Sequence, residues 1–488
     1  MGAGFYTTRN LKEAVRFRSA ADSTAEKIFK KFMLRNRPIP SGGPLSPKEL
    51  PLLDFQAKRG VPHILGLNRS YLAHQPGLGK TAQAISAVST KPGRALIICP
   101  SFLKVTWARE ITKWFIRDFP SISVLKASSN FERLNYMLGA DFVIVSDAML
   151  EKEWVRDLIA REKFRFVFID EGHRFKTPFA NRTIAIFGGK NSKIKSRGLI
   201  YDAEHVSILS GTPMLNRPIE LWPMLFAMAP ETIDFMSYQE FGFRYCGATQ
   251  NDRGVWEFLY SSNEKELKTR IQKRFMQRIR KEDVLPDLPE KVREVIIVDE
   301  DTRAKDVVAL DRACLKKLGK FSKPESMGDY AIVRHENGKA KTAWAAKFVA
   351  SYLSEDATEQ VILYAHHRDV VARLALLLQD FKPMVINGGV VSSERTKIED
   401  AFQSGRRRLI IGNIDAMNLG LTLTRATRVV FCEYAWTPAL NEQAEDRANR
   451  IGSQWSVFCQ YLVFANSIDE QILTSNIIKE ERTERIIA

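Results

Sequence analysis

The chain has 488 residues, too long for one ordinary hydrophobic core, so two or three domains are expected. Hydrophobic residues make up 45% and charged residues 27%, a globular composition without a membrane span or signal peptide, and we expect a cytoplasmic protein with no membrane partner. The 73 Lys and Arg exceed the 57 Asp and Glu, and this net charge of +16 favours a polyanionic partner, nucleic acid ahead of membrane.

Apolar runs of strand length recur along most of the chain. Residues 1–48, basic and then rich in Pro, Gly and Ser, are interpreted as an extension and a candidate accessory DNA-binding element. In 49–230 the runs RALIICP, DFVIVSD, FVFIDE and HVSILSGTP alternate with helical stretches, which predicts a parallel sheet covered on both faces. Residues 231–290 are predicted to be a helical insertion and linker. Six more runs follow in 291–488. The predicted fold is α/β, with two doubly wound domains whose chemistry lies beyond the carboxyl ends of the strands.

The stretch AHQPGLGKT, residues 73–81, nearly fits the phosphate-loop pattern GxxxxGK[ST]. Gly77 and Gly79 let a backbone approach phosphates, Lys80 brings positive charge, and Thr81 brings a hydroxyl for Mg²⁺. His74 replaces the first glycine, and His tolerates positive φ better than most residues. A nucleotide-binding loop is predicted, with an ordinary turn as the alternative.

Two further strand ends carry polar groups. FVFIDEGH ends in Asp170 and Glu171, where an Asp suits the shell of Mg²⁺ and a Glu can orient an attacking water. Such a pair alone is common at strand ends, and its position after a phosphate loop is what makes it informative. The segment SGTP (210–213) is either a helix cap or a sensor of the phosphate.

Arg447 and Arg450 in NEQAEDRANRIGSQ are three residues apart, so on a helix they would share one face. They are either solvated arginines beside Glu445 and Asp446 or arginine fingers that reach a phosphate held by the first domain. In the second case the site would be assembled only when the domains close.

These motifs, in this order, resemble the two RecA-like lobes of superfamily 2 helicases and, more narrowly, the SWI/SNF-related ATPases. The resemblance runs from LLDFQAKRGV (52–61) to about residue 475. It includes ALIICPSFLKVTWAREI, VIVSDAML, DEGH and LSGTPMLNRPIELW, the linker FMQRIRKEDVLPDLPEK, and VILYAHHRDVVARL. The stretch from NLGLTLT to RANRIGSQ is most similar to the annealing-helicase branch, in the compact form of a bacterium or phage. His74 stands where the family has an acidic residue, and Ser453 is inserted where the family reads RIGQ.

The resemblance implies an ATP- and Mg²⁺-dependent DNA translocase or helicase on forked or branched DNA in replication, recombination or repair, acting as a monomer. An RNA helicase and a nucleic-acid-binding module with a weak motor are the alternatives. The implied nucleotide-binding residues are Gln56, His74, Gly77, Leu78, Gly79, Lys80, Thr81, Gly420 and Gln443. The implied catalytic residues are Lys80, Asp170, Glu171, Arg447 and Arg450, with Thr81 and Asp170 on the metal. Lys104, Ser146, Arg368 and Arg395 are predicted to contact DNA, against the alternative of solvated surface residues.

Overall fold

The computed structural model of the chain describes residues 5–8, 52–116, 120–251, 253–298, 303–318, 327–417 and 420–487. These residues form two compact units. We call the described part of Gly42–Pro286 with Glu481–Ala488 the N-terminal lobe, and the described part of Asp287–Glu480 with Met1–Ser41 the C-terminal lobe. The extension predicted at 1–48 lies outside the described residues except for 5–8.

Within the described residues, the main sheet of the N-terminal lobe has seven parallel strands. Their order is Met276–Gln277, Arg69–Leu72, His205–Leu209, Phe166–Asp170, Ala95–Cys99, Phe142–Ser146 and Ile122–Val124. Both faces are covered, because Val167 and Ile169 pack into one hydrophobic cluster while Phe166 and Phe168, which alternate with them, pack into another. The doubly wound sheet predicted for this part of the chain is confirmed.

Helices and two small antiparallel hairpins surround this sheet. The hairpins pair Gly189–Lys190 with Lys195–Ser196 and Thr249–Gln250 with Trp256–Glu257, and the sequence analysis predicted neither. The α-helices are Val61–Gly66, Lys80–Thr90, Lys104–Trp114, Phe131–Met137, Glu153–Ala160, Asn181–Phe187, Trp222–Met228, Tyr238–Tyr245, Glu264–Arg274 and Lys281–Val284.

The described sheet of the C-terminal lobe also has seven strands. Their order is Phe5–Thr8, Lys291–Ile297, Val457–Val463, Arg428–Phe431, Val361–Ala365, Leu409–Asn413 and Met384–Ile386. All six runs predicted from the sequence are strands and lie parallel to one another. The strand Phe5–Thr8 was not predicted, and it adds to the sheet antiparallel to Lys291–Ile297.

The helices of the C-terminal lobe begin after its first parallel strand. They are Lys305–Leu318, Met327–Glu355, Arg368–Leu377, Ser392–Gln403, Ile414–Met417, Pro438–Glu445 and Ile468–Ile487. The last helix starts in this lobe, but its residues from Glu481 onward belong to the N-terminal lobe, where Ile486 and Ile487 are buried in the core. None of the described helices combines the length and apolarity needed to cross a membrane.

Candidate functional site

The phosphate loop, residues 73–81, connects the strand Arg69–Leu72 to the helix Lys80–Thr90. Gly77 and Gly79 have φ values of 86° and 69°, a left-handed conformation that favours glycine. A Cβ on Gly79 would lie 2.5 Å from Nε2 of Gln56, so a side chain at this position would collide with the buried Gln56. His74 is absent from the described residues with positive φ, and the turn therefore makes no use of the conformational tolerance that the sequence analysis invoked for it.

The ammonium of Lys80 turns onto the loop. Its Nζ donates to the carbonyl oxygen of His74 at 2.7 Å and to that of Gln75 at 3.3 Å. These carbonyl oxygens are acceptors of the same kind as phosphate oxygens, and Thr81 is only partly exposed at the start of the following helix. The glycines, the ammonium of Lys80 and the helix N-terminus together fit the phosphates of a nucleoside triphosphate.

The side chain of Gln56 is buried and contacts the phosphate loop directly. Its Nε2 donates to the carbonyl oxygen of Leu78 at 3.1 Å, and Nε2 of Gln83 donates to the same oxygen at 2.9 Å. Leu78 itself is fully buried. The recognition of adenine by Gln56 stays a prediction. Because Gln56 is hydrogen-bonded to Leu78, a change in the conformation of the loop would also move the Gln56 side chain.

Asp170 ends the strand Phe166–Asp170, and its carboxylate is oriented by Trp107. The indole Nε1 of Trp107 donates to Oδ2 of Asp170 at 2.8 Å, while the backbone nitrogen of Glu171 donates to Oδ1 at 2.9 Å. Burial, reinforced by the charge of Glu171, raises the pKa of Asp170 to about 7. Carboxylate and hydroxyl oxygens are the donors that Mg²⁺ takes, so Asp170 and Thr81 fit a divalent cation.

The strand-end pair is linked to the SGTP segment through His173. Nδ1 of His173 lies 3.3 Å from Oε2 of Glu171, 3.1 Å from Oγ of Ser210 and 3.4 Å from Oγ1 of Thr212. Burial lowers the pKa of His173 to about 3, so the imidazole is neutral. His173 therefore connects the SGTP segment to the carboxylate of Glu171, as the sensor interpretation expects.

A second contact joins the SGTP segment to the phosphate loop. A Cβ on Gly211 would lie 2.7 Å from Cδ of Pro76, so the two backbones touch at this glycine. Nη1 of Arg278 donates to the carbonyl oxygen of Ala73 at 2.6 Å and to that of Gly211 at 2.8 Å. One guanidinium thus clamps the loop and the segment together, and its side chain is only 7% exposed.

The linker strand around Arg278 lies along the phosphate loop. The backbone nitrogen of Ala73 donates to the carbonyl oxygen of Gln277 at 2.9 Å, and that of Gln75 to Ile279 at 3.0 Å. Nε2 of His74 lies 3.0 Å from Oε1 of Gln277, and burial lowers the pKa of His74 to about 3. His74 is therefore a neutral residue that connects the loop to the linker.

In the C-terminal lobe, the helix expected to carry Arg447 and Arg450 ends earlier, at Glu445. Both arginines follow in turns, and both still reach one carbonyl oxygen. Nη1 of Arg447 donates to Leu421 at 3.2 Å, and Nη1 of Arg450 donates to Leu421 at 3.5 Å and to Oγ1 of Thr422 at 3.0 Å. The structure thus brings the arginines together against the segment after Gly420, which has φ of 79°.

The acids beside these arginines are bound by other cations. Arg293 makes a bidentate pair with Glu445, with Nε to Oε1 at 2.8 Å and Nη2 to Oε2 at 2.7 Å. Lys291 lies 2.9 Å from Glu445 and 2.9 Å from Asp446. Burial opposes ionisation, but Arg293 and Lys291 outweigh it and lower the pKa of Glu445 to about 2. Arg293 and Lys291 therefore supply the positive charge that neutralises these carboxylates.

The inserted Ser453 and the buried Gln443 shape the same turn. Oγ of Ser453 accepts from the backbone nitrogen of Arg450 at 3.0 Å, and the backbone nitrogen of Ser453 donates to the carbonyl oxygen of Arg450 at 2.9 Å. The carbonyl oxygen of Gln443 accepts from Nε of Arg447 at 3.3 Å. The insertion is therefore absorbed into the turn that positions Arg450.

The four predicted DNA contacts differ in what their side chains do. Nζ of Lys104 donates to the carbonyl oxygen of Leu125 at 2.7 Å, and burial lowers its pKa. Ser146 is buried at the end of its strand, Arg368 is exposed at the start of a helix, and Arg395 donates from Nε to Val390 at 3.1 Å. Their roles in binding DNA stay predictions.

Comparisons with known proteins agree with this arrangement. Residues 58–308 match the family model described as SNF2-related domain, which covers just over half of the chain, and residues 344–452 match the helicase conserved C-terminal domain. The chain belongs to the SNF2-related family.

Relatives of this SNF2-related chain include two curated proteins. The SWI/SNF-related matrix-associated actin-dependent regulator of chromatin subfamily A-like protein 1 of Xenopus tropicalis is 32% identical over 413 residues, which is 83% of this chain and 41% of that protein. The DNA annealing helicase and endonuclease ZRANB3 of Homo sapiens is 30% identical over 438 residues, 86% of this chain and 39% of that protein. The chain thus spans about two fifths of the length of each.

Among solved structures, the Sulfolobus solfataricus SWI2/SNF2 ATPase core in complex with dsDNA matches 89% of this chain and 94% of its own, with 19% identity and a TM-score of 0.42.

Sequence reasoning on this SNF2-related chain missed two site residues. Trp107 lies in the stretch ALIICPSFLKVTWAREI, and only the strand order, which places it beside Asp170, reveals its role. Arg278 lies in the stretch that resembled the family's linker, where nothing in the sequence distinguished it from Arg280. Both act on groups far away in the sequence.

Proposed function

We propose that the protein is an ATP-dependent DNA translocase or helicase that acts on forked or branched DNA in replication, recombination or repair, in the cytoplasm. Membership of the SNF2-related family and the similarity to a DNA annealing helicase support this proposal. The observation that carries its ATP-dependent part is the clamp in the N-terminal lobe, where Arg278 joins the phosphate loop to the SGTP segment, while the DNA substrate is proposed from the relatives.

Residues of the N-terminal lobe would hold Mg²⁺-ATP. The backbone of Gly77 to Thr81 would cradle the phosphates, Lys80 would exchange its loop carbonyls for phosphate oxygens, and Thr81 and Asp170 would hold the metal. When bound, Mg²⁺ neutralises charge on the phosphate oxygens. Trp107 donates to Oδ2 of Asp170 and would thereby orient the carboxylate when it holds the cation.

Glu171 is proposed to orient the attacking water and to take its proton. It has φ of 54°, a value that a non-glycine residue adopts only at a cost and that is typical of functional sites. His173 contacts Glu171 as a neutral group and extends the same network to Ser210 and Thr212. A change at the carboxylates is thereby passed to the SGTP segment.

Arg447 and Arg450 are proposed as arginine fingers for the γ-phosphate. Their support comes from the C-terminal lobe alone: both reach Leu421, and the neighbouring acid Glu445 is already bound by Arg293. Gly420, Gln443, Lys104, Ser146, Arg368 and Arg395 keep their proposed roles with nucleotide or DNA.

The decisive experiment measures ATP hydrolysis by Lys80→Ala with duplex, single-stranded, forked and RNA cofactors, and measures DNA binding in parallel. The exposed Lys58, which pairs with the exposed Asp54, gives the matched control Lys58→Ala. We expect Lys80→Ala to lose turnover and keep DNA binding, while Lys58→Ala keeps both. Normal DNA-stimulated hydrolysis by Lys80→Ala would contradict the assignment of the loop.

The cofactor panel also separates the alternatives. Stronger stimulation of the wild-type protein by RNA than by any DNA would favour an RNA helicase. Binding of nucleic acid without any stimulated hydrolysis would favour a binding module with a decayed motor. A separate variant, Arg450→Ala, is expected to lose hydrolysis and retain nucleotide binding, and equal loss of both would argue against a finger role.

A further inference from the structure

The N-terminal lobe contains a basic hairpin, residues 188–198. In the sequence it lies between the strand that ends at Asp170 and the SGTP segment. Its strands are Gly189–Lys190 and Lys195–Ser196. Lys190, Lys193 and Lys195 are exposed. Of the hairpin's four cations, Arg197 alone pairs with a described carboxylate, that of Asp202 at 3.0 Å. Three lysines are thus presented to solvent over six residues without a partner among the described acids.

The hairpin is held rigidly. Gly188 and Gly198 have φ of 88° and 96°, and a Cβ on Gly198 would lie 2.8 Å from the backbone nitrogen of Gly188, so the hairpin's two ends cross where only glycine fits. Oδ1 of Asn191 accepts from the backbone nitrogens of Lys193 at 2.7 Å and Ile194 at 2.9 Å. Ile194 is buried, which anchors the tip. The lysines therefore project from a pre-organised frame.

The hairpin is joined to a network of aromatic rings. Nδ2 of Asn191 donates to the carbonyl oxygen of Phe179 at 2.8 Å, and the ring of Phe179 contacts Tyr238. From Tyr238 the contacts branch, one branch through Trp222 and the other through Phe258, and the centroids of contacting rings lie 4.7 to 6.5 Å apart. We call this the aromatic ribbon, and its rings are Phe179, Tyr238, Trp222, Phe226, Phe258, Phe243 and Trp256.

Four rings of the aromatic ribbon are open to solvent. Phe179 is 65% exposed, Phe226 44%, Phe243 46% and Trp256 48%. Phe243 and Trp256 contact each other, while Phe179 and Phe226 are connected to them through the less exposed rings of the aromatic ribbon. Several large aromatic side chains that are exposed and linked by ring contacts mark a binding surface, which scattered single residues do not. The nucleotide site uses none of them.

We propose that the basic hairpin and the aromatic ribbon together bind an unpaired DNA strand. This inference rests on the proposed function, since it assigns the single-stranded arm of a branched substrate to this surface. Lysines attract the phosphates of any nucleic acid, whereas exposed aromatic faces gain only from bases that are not stacked in a duplex. A protein partner fits less well, because lysine is depleted in protein interfaces.

The two halves of the surface make different predictions, which allows a sharp test. The variant K190Q/K193Q/K195Q removes three charges, and the matched control K265Q/K273Q/R274Q removes three exposed cations from the helix Glu264–Arg274 of the same lobe. The variant F179A/W256A removes two rings and no charge. Both altered surfaces are exposed, so each protein is expected to fold, and a thermal melt checks this.

Binding is measured by fluorescence anisotropy over a range of salt, on a fork with a single-stranded arm of about 15 nucleotides and on a blunt duplex. For the fork, we expect the lysine variant to lose about 2 units of the log–log salt slope, because each single-strand phosphate contact contributes about 0.7. The aromatic variant should bind the fork at least about fivefold more weakly with an unchanged slope. Neither change should alter the ATPase rate at saturating blunt duplex.

Three results would overturn the inference: wild-type binding of the fork by both variants, equal losses in the lysine variant and its control, or equal losses on blunt duplex. The last would place the hairpin on the duplex track, and unchanged DNA binding would leave a protein partner. Failure of the proposed function looks different, because the wild-type ATPase would then not respond to DNA at all.

Discussion

Arg278 offers the most direct test of how the phosphate loop and the SGTP segment are held together. Its guanidinium is 7% exposed and donates to Ala73 at 2.6 Å and to Gly211 at 2.8 Å. Hydrogen bonds from a charged donor contribute about 1.5–3 kcal/mol each, so Arg278→Ala is expected to cost about 3 kcal/mol or more in the free energy of unfolding. In a lobe of this size, that loss lowers the melting temperature by about 6 °C or more.

The effect on activity follows from which groups are clamped. Without Arg278, no single side chain holds the phosphate loop and the SGTP segment in place. Their relative position is then no longer fixed before hydrolysis, and fixing it adds to the free energy of activation. If about 3 kcal/mol of arrangement energy is lost, kcat/KM for ATP falls by about 100-fold, since each 1.4 kcal/mol corresponds to a factor of ten. Arg278→Lys keeps the charge but not the forked donors, and we expect an intermediate value.

The assay measures DNA-stimulated ATP hydrolysis, nucleotide binding and thermal unfolding on the same preparations. Arg280→Ala is the matched control two residues away, because Arg280 pairs with Glu282 and Glu484, whose side chains are 72% and 40% exposed. Such exposed pairs contribute about 0–1 kcal/mol. The coupling argument would be refuted if Arg278→Ala had the melting temperature of the wild type and a kcat/KM within about twofold of the wild-type value.

Three further predictions concern single contacts. Trp107→Phe removes the indole donor to Asp170, and the Mg²⁺ concentration for half-maximal ATPase should rise about tenfold in a metal titration, with unchanged Mg²⁺ dependence arguing against the orienting role. Ser453→Ala removes the acceptor for the nitrogen of Arg450, and steady-state kinetics should give a kcat several-fold lower at unchanged KM; a change confined to KM would contradict this. Glu445→Gln should lose about 3 kcal/mol at neutral pH, because the pKa of Glu445 is about 2 in place of its usual 4.5; this stabilisation is complete above about pH 5 and is lost as the pH falls toward 2. Denaturation at several pH values should show the variant with a shallower acid dependence, and an identical dependence would exclude a paired Glu445.

The sequence predicted what is encoded locally. Each apolar run is a strand in the structure, buried along its whole length or in part, and the glycines and lysine after Arg69–Leu72 form the loop that their chemistry predicted. Contacts between distant segments were out of reach: Trp107 meets Asp170 across 63 residues, and Arg278 meets Ala73 across 205. The alternation of apolar residues in a strand predicts which face is buried. It does not predict which distant side chain, here Trp107, contacts the residue at the end of the strand.

The segment with Arg447 and Arg450 shows the same limit, because here a local spacing predicted a helix that does not extend so far. A three-residue spacing predicts one helical face, but the helix ends at Glu445, whose carboxylate is drawn into the sheet by Arg293 from 152 residues away. The two arginines nevertheless meet, at Leu421, because the turns after the helix fold back toward that segment. The pairing was predicted and its geometry was not.

The last helix has a consequence for how the protein is made. Ile486 and Ile487 are buried in the core of the N-terminal lobe, and the carbonyl oxygen of Ile487 accepts from Nε2 of Gln272, 215 residues earlier. During translation the core of the N-terminal lobe therefore remains incomplete while the C-terminal lobe is synthesised, although domains generally fold as units in the order of synthesis. The strands of the later lobe are all synthesised before the earlier lobe receives Ile486 and Ile487, and a ribosome stalled before them would display an N-terminal lobe that lacks part of its core.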